Sequence, residues 1–210
     1  MVKSKVEQKK FMLVNVAWNH NKWARLQPNP ALGFGFTKDP EEAAFTPHEA
    51  LNFDFLKKGI DTKDTVFGYF KTGIDKIGGV PRKFADGGII IFWSKNSDNK
   101  KGYFIGVYGK ARALDEVRKY NYLGFKNAEF LANIQGDKKL SCLFPCPVKD
   151  SAYKTNGKRL IYRSNLSYDF DKDKTLKLLK EAGNEPCKEH VDPRIIATLT
   201  RLEEYVKNEL

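Results

Sequence analysis

The sequence predicts an α+β domain in which a twisted β-sheet or barrel is flanked by helices, with a further helix at the C-terminus. Its clearest β signal is Gly87–Leu114, where two apolar runs are joined by a polar, charged turn from Ser94 to Lys101. Residues 89–92 are apolar without alternation, so the first strand of this hairpin is expected to be covered on both faces. Two helical patterns near the end of the chain supply the α part of the prediction.

The first part of the chain is predicted to contain two strands and two helix starts. A buried strand is expected at about Phe11–Ala17, followed by a long loop, and another strand is expected at residues 64–72. Residues 39–42 and 46–49 each combine a capping residue, a proline and at least one acidic residue after it, which is typical of the first turn of a helix.

The second part of the chain is predicted to begin with a mixed or helical segment at residues 113–135. A late strand is expected at residues 158–168. A helix follows at Asp171–Ala182, with Gly183 expected just beyond its end as a C′ residue. These segments complete the main domain, which we place at residues 1–185.

Residues 186–210 are assigned to a C-terminal helix or linker. Asp192 and Pro193 open a strongly periodic helix. Four apolar residues fall on one of its faces: Ile195, Leu199, Leu202 and Val206. This helix is expected either to pack on the domain or to form a stalk.

The composition favours a polyanionic partner. The chain has 210 residues, a formal net charge of +11 and 41% hydrophobic residues, which fits one domain with a basic surface. The basic residues are spread along the sequence, so folding has to gather them onto one face. No apolar run approaches the roughly 20 residues that cross a bilayer, and the charged N-terminal segment does not resemble a signal peptide. We therefore expect a cytoplasmic protein with no membrane partner.

The three cysteines do not predict a disulfide framework. Cys142, Cys146, Cys187 and His190 are four residues of the types that bind zinc. Apolar residues and prolines surround the first pair, however, which favours buried, small apolar cysteines over a metal site. No metal and no cofactor are expected.

No catalytic pattern stands out. Residues 73–79 lack the lysine and the hydroxyl residue that directly follow the second glycine of a phosphate-binding loop. His20, His48 and His190 have no neighbour with which to form a nucleophile pair. The PD-(D/E)xK signature of restriction nucleases finds no convincing match. The chain is therefore predicted to be a binding module and not an enzyme.

The order of the predicted elements resembles a known family. A buried strand, an aromatic loop with asparagines, the IIIFW strand, a charged turn and the return strand GYFIGVYGKARAL are similar to the YTH/EVE branch of the PUA-like fold. The resemblance covers approximately Phe11–Ala182. The segment KRLIYRSNLSY, followed by a leucine-rich helix, is similar to the N-terminal specificity domain of McrB-type modification-dependent restriction systems.

This resemblance implies a DNA-binding domain that recognises one modified base, most often N6-methyladenine, by flipping it into an aromatic pocket. The implied partner is methylated double-stranded DNA. In such a restriction system an AAA+ motor domain and a nuclease lie in another domain or subunit. The alternative is a PUA-like RNA-binding protein or methylated-RNA reader, and a third hypothesis is a small protein-interaction module that uses the C-terminal helix.

The family's pocket loop corresponds to residues 15–36. Its second half reads GFGF where YTH readers have a glycine followed shortly by tryptophan, so the assignment of rings to pocket walls stays open. Some of these rings are also compatible with ordinary core or strand positions. The modified-base-binding residues are predicted to come from Trp18, Asn19, Asn21, Trp23, Phe34, Phe36 and Trp93.

Contacts to the nucleic-acid backbone are predicted from basic residues in the loop, in the turns and near the late strand. Phosphate contacts position a nucleic acid, whereas base contacts specify it. The predicted backbone-binding residues are Lys22, Arg25, Arg82, Lys83, Lys100, Lys101 and Arg163.

Overall fold

The computed structural model describes residues 8–16, 52–53, 60–71, 81–96, 98–121, 129–154, 160–161, 166–184 and 191–210. Within these ranges the chain forms seven strands and two α-helices. The strands are β1 (Lys9–Asn15), β2 (Thr65–Gly68), β3 (Phe84–Lys95), β4 (Gly102–Asn121), β5 (Glu129–Asp137), β6 (Ser141–Lys149) and β7 (Leu166–Ser167). The helices are α1 (Lys172–Asn184) and α2 (Pro193–Glu209).

The strands form one mixed sheet in the order β2-β5-β4-β3-β1-β7, with β6 also paired to β4. β1 and β3 are parallel, and the other described pairs are antiparallel. On one edge, the first half of β4 pairs with β3. On its other edge, β4 pairs first with β6 and then, further along the strand, with β5. The predicted α+β class, with a sheet flanked by helices and a C-terminal helix, is confirmed.

The sheet curls around one apolar cluster and carries the helices on its other face. Side chains of β1 to β5 meet inside the curl, among them Met12, Ile90 and Tyr108. Leu13, Ile89 and Ile91 point the opposite way and pack with the buried residues of α1 and α2. Residues 89–92 are fully buried, which confirms the prediction that this strand is covered on both faces.

α2 packs on the domain. Asp192 caps it by accepting a hydrogen bond from the Arg194 backbone nitrogen at 2.9 Å, and the helix buries Leu199, Leu202 and Val206 in the core it shares with the sheet. The Tyr205 hydroxyl donates to the carbonyl oxygen of Gly87 at 2.6 Å. The stalk alternative is therefore wrong.

Several predicted boundaries need correction. α1 runs through Gly183 to Asn184, so Gly183 is not a C′ residue. Residues 113–135 are not helical where the structure describes them, since they belong to β4 and β5. A register shift between Ala113 and Arg118 interrupts the alternation of apolar and polar residues, which is why this strand lacks a β pattern in the sequence.

Other predicted elements are shorter than expected or fall outside the described residues. β1 and β2 lie within one or two residues of the predicted starts, but β2 ends at Gly68. The late strand is reduced to Leu166–Ser167 in the described part of the chain. The helix starts predicted at residues 39–42 and 46–49 lie outside the described residues.

The cysteines differ from one another. Cys142 is a buried free thiol, and burial raises its pKa to about 12, so the thiol stays protonated at neutral pH. Cys146 is half-buried and disulfide-bonded, with its partner outside the described residues. The expectation of buried, small apolar cysteines is thus confirmed for Cys142 and wrong for Cys146.

The described residues contain no cluster of three or more His, Cys, Asp or Glu residues arranged to hold a metal ion. Neither described helix combines the length and apolar character needed to cross a bilayer.

Candidate nucleic-acid interface

One end of the sheet, which we call the rim, is formed by Val16, residues 94–96, residues 98–101 and Lys149. β1, β3 and β6 end here and β4 begins here, since Asn15 is opposite Trp93 and Lys149 is opposite Tyr103. The Val16 nitrogen donates to the Trp93 carbonyl at 2.9 Å, and the buried Ser94 hydroxyl donates to the Val16 carbonyl at 2.8 Å. The chain therefore enters the predicted pocket loop from a fixed point on the rim.

The turn between β3 and β4 presents lysines at the rim. Asn96 organises the turn, because its side-chain oxygen accepts hydrogen bonds from the Asp98 and Asn99 nitrogens at 2.7 and 3.1 Å. Lys100 adopts the left-handed conformation, with φ of 59°. With Lys101 it is exposed, as are Lys95 and Lys149. We call Lys95, Lys100, Lys101 and Lys149 the rim cluster.

Aromatic rings fill the interior of the curl below the rim. Phe53 packs edge-on against Phe92 and Tyr108, with ring centroids 5.0 and 5.7 Å apart, and Phe92 and Tyr108 are 4.8 Å apart. Gly106 makes room for Phe53, because a side chain there would meet the phenyl ring. A base cannot enter beside Phe92 without displacing Phe53.

Two buried asparagines clamp the chain that leaves β2. Asn52 donates to the Tyr69 carbonyl and accepts from the Tyr69 nitrogen, both at 2.8 Å. Asn133 makes the same pair of bonds to Phe70, at 2.8 and 3.2 Å. The side-chain amide of each asparagine therefore makes the two hydrogen bonds that the backbone of a neighbouring strand would make to one residue.

Tyr108 ties Asn52 to the sheet. Its hydroxyl donates to the Asn52 carbonyl oxygen and lies 3.2 Å from the Phe67 carbonyl oxygen. Burial, with the Asp61 carboxylate as a second cause, raises the pKa of Tyr108 well above its usual value, so the hydroxyl keeps its proton. Hydrogen bonds with Tyr69 and Tyr108 thus fix Asn52, which is the first described residue after residues 17–51.

Trp93 lies on the opposite face of β3 from Phe92. Its half-buried indole packs against the core below the helices and donates from Nε1 to Asp150 Oδ2 at 3.1 Å. Lys154 Nζ lies 2.9 Å from the other oxygen of this buried carboxylate. Gly102 leaves the space that the indole occupies. A base contact by Trp93 stays a prediction. Any such contact has to be made on the face of the sheet that carries the helices, since that is where the indole lies.

Arg82 and Lys83 lie at the other end of the sheet, where β1 and β3 begin. They are exposed, and the Lys9 nitrogen donates to the Lys83 carbonyl at 2.8 Å, which brings β1 beside them. Lys10 Nζ donates to the Asp86 carbonyl oxygen at 2.9 Å. We call Lys9, Lys10, Arg82 and Lys83 the far cluster.

The two clusters are separated by the length of β3. That strand has 12 residues, which would span about 36 Å if the strand were straight. Arg82 and Lys83 therefore lie at the opposite end of β3 from Lys100 and Lys101, and their shared contact with a nucleic acid stays a prediction. Sequence reasoning also missed the neighbouring lysines of both clusters, because only strand pairing brings them together.

The remaining predicted site residues lie outside the described residues. They are Trp18, Asn19, Asn21, Lys22, Trp23, Arg25, Phe34, Phe36 and Arg163. The described neighbours of the loop are Val16 and Asn52, and Leu166, next to the segment that holds Arg163, pairs with Val14. No family model, no curated protein and no solved structure matches this chain.

Proposed function

We propose that the protein is a PUA-like reader domain that binds DNA and recognises a modified base, with N6-methyladenine as the favoured base. In this proposal it is the specificity module of a restriction system whose motor and nuclease lie in another domain or subunit. The observation that carries the proposal is the position of the two described residues that flank residues 17–51. Val16 lies on the rim, and Asn52 lies below it, hydrogen-bonded to Tyr69.

The charge of the rim supports nucleic acid as the ligand. The four lysines of the rim cluster are exposed beside the chain that enters the predicted pocket loop. Phosphates that contact such residues release condensed counterions, which favours binding at low salt. The rim cluster then positions the backbone, and side chains of residues 17–36 read the base.

The packed interior supports a pocket above Phe53 and not inside the curl. Unstacking a base costs a few kcal/mol, and stacking on an aromatic side chain returns about 1–3 kcal/mol. Trp18 and Trp23 are the tryptophans closest in sequence to the rim residue Val16 on the loop side. They are the proposed stacking partners, with Asn19 or Asn21 at the edge of the base.

Trp23→Ala is expected to abolish the preference for methylated over unmethylated duplex DNA while non-specific binding persists, because base contacts specify and phosphate contacts position. The comparison variant is Lys100→Glu with Lys101→Glu. It should weaken binding to both duplexes equally and reduce the slope of log K against log salt by about 2 or more. Fluorescence anisotropy across a salt series measures both effects.

Three results of this comparison would count against the proposal. A wild-type protein that binds both duplexes equally is not a modified-base reader. Trp23→Ala that loses both affinities together with its fold places Trp23 in the core. Tighter binding to methylated RNA of the same sequence assigns the pocket to RNA, where the 2′-hydroxyl is an additional contact.

A mismatch opposite the modified adenine is expected to tighten binding, because part of the unpairing cost is already met. A fluorescent adenine analogue at the same position should change its emission when protein binds, since it leaves its stacked neighbours. Reading the methyl group in the major groove predicts neither effect. If the mismatch left the affinity unchanged and the emission stayed flat at saturating protein, the base would be read in the major groove and not by flipping.

A further inference from the structure

Tyr103 places an aromatic ring at the rim, on the inner face of the sheet. It packs against the apolar cluster inside the curl, whereas the next residue, Phe104, belongs to the core below the helices. Tyr103 is half-buried, while the rings deeper in the curl, Phe53, Phe92 and Tyr108, are buried. Part of the Tyr103 side chain therefore stays accessible at the rim.

The two strands beside Tyr103 place Ser94 and Lys149 on the same face. Both residues are direct cross-strand partners of Tyr103, Ser94 on β3 and Lys149 on β6. Direct partners point to one side of a sheet, with Cβ atoms about 4.5–5.5 Å apart. Val148 packs below the helices, so its neighbour Lys149 has to point to the inner face. Tyr103 is thus flanked by the buried Ser94 on one side and by the exposed Lys149 on the other.

The turn between β3 and β4 restrains the Tyr103 side chain. Asn99 Nδ2 donates a hydrogen bond to the Tyr103 hydroxyl oxygen at 3.0 Å, and Asn99 Oδ1 accepts one from the Lys101 backbone nitrogen at 2.9 Å. The ring is therefore tied to the turn that carries Lys100 and Lys101. A side chain already held in place loses less conformational entropy when a ligand binds to it.

We propose that Tyr103 is a base-stacking residue of the reader and that Lys149 contacts a phosphate beside the stacked base. An aromatic ring next to a cation suits an unstacked nucleotide, because the ring covers the face of the base and the cation attracts the phosphate. This inference rests on the proposed recognition of a flipped base. It adds a wall of the pocket that the sheet itself supplies.

The test compares two duplexes that differ only at the recognised position. One carries N6-methyladenine, and the other carries an abasic site there, which keeps the phosphates and removes the base. A stacking residue contributes to binding of the first duplex alone, whereas a phosphate contact contributes to both. The variants are Tyr103→Leu and Lys149→Gln. The matched control is Tyr120→Leu, at a half-buried tyrosine near the other end of β4.

We expect Tyr103→Leu to weaken binding to the methylated duplex about tenfold and to bind the abasic duplex as the wild type does. Lys149→Gln should weaken binding to both duplexes equally and reduce the salt slope by about 1. Tyr120→Leu should bind both duplexes like the wild type. Fluorescence anisotropy measures these affinities, and circular dichroism checks that each variant is folded.

Crosslinking of the wild-type protein tests the same contact without a substitution. A photoreactive adenine analogue at the recognised position should crosslink to Tyr103, as mapped by mass spectrometry. Crosslinks confined to residues outside the rim would overturn the inference, and so would a folded Tyr103→Leu protein that keeps its affinity for the methylated duplex or loses affinity for both duplexes equally. These results leave the proposed function standing if the wild type prefers methylated to unmethylated DNA. A wild type without that preference would overturn the proposed function itself.

Discussion

Asn52→Ala is expected to lower the free energy of unfolding by about 2–6 kcal/mol. The substitution removes the two hydrogen bonds that Asn52 makes to the buried nitrogen and carbonyl of Tyr69, and the loss of a buried hydrogen bond costs about 1–3 kcal/mol. The side chain of Asn52 is 1% exposed, so water has little access to replace it. Urea unfolding followed by circular dichroism measures the change.

Asn133→Ala is the matched control for this prediction. It removes the same two kinds of hydrogen bond from the next residue, Phe70, and should destabilise the protein to a similar extent. Only Asn52, however, lies at the end of residues 17–51. At a temperature where both variants are folded, Asn52→Ala should therefore reduce the preference for methylated DNA, and Asn133→Ala should retain it.

Two outcomes would contradict this reasoning. An Asn52→Ala protein as stable as the wild type would show that the clamp on Tyr69 contributes nothing net. Equal loss of methyl preference in both variants would show that general loosening of the sheet, and not the anchor of the loop, controls discrimination. Tyr108→Phe adds an independent check, because it removes the hydroxyl that bonds to the Asn52 carbonyl while keeping the ring in place.

The parts of the fold that depend on local sequence were predictable. The hairpin of β3 and β4 combines a continuous apolar run with a turn set by Asn96, and both signals lie within a few residues. The start of α2 is equally local, since Asp192 caps the helix and Pro193 occupies its first turn. Such signals need no knowledge of which strands pair.

The arrangement of the candidate site depends on long-range pairing and was not predictable. The parallel pairing of β1 with β3 brings Lys9 beside Lys83 and sets both far from Lys100. Nothing in the sequence around Asn52 distinguishes a clamp from an ordinary loop asparagine, because its partner Tyr69 comes from another segment. The sequence therefore indicates a basic, aromatic protein, and the topology sets the rim cluster and the far cluster at opposite ends of β3.

Two glycine-to-alanine substitutions are expected to have opposite effects on stability. In α1, a methyl group at Gly183 would meet Leu199 Cδ1 at 3.8 Å, which is an ordinary contact. Alanine reduces the conformational entropy of the unfolded chain and favours the helix, so Gly183→Ala should stabilise the protein by about 0.5–1 kcal/mol. A destabilised Gly183→Ala protein would show that α1 does not continue through this residue.

Gly102→Ala is expected to destabilise the protein by roughly 3 kcal/mol. Its methyl group would lie 2.6 Å from Trp93 Cζ2 and against Asp150 Oδ2, so both groups have to move. Neither moves freely, because the indole packs on the core and the Asp150 side chain is 5% exposed and paired with Lys154. Overpacking costs about 1–3 kcal/mol, and a broken hydrogen bond to a buried charge adds to it. Urea unfolding of both glycine variants measures the contrast. A Gly102→Ala protein as stable as the wild type would mean that the hydrogen bond between Trp93 and Asp150 does not stabilise this end of the sheet.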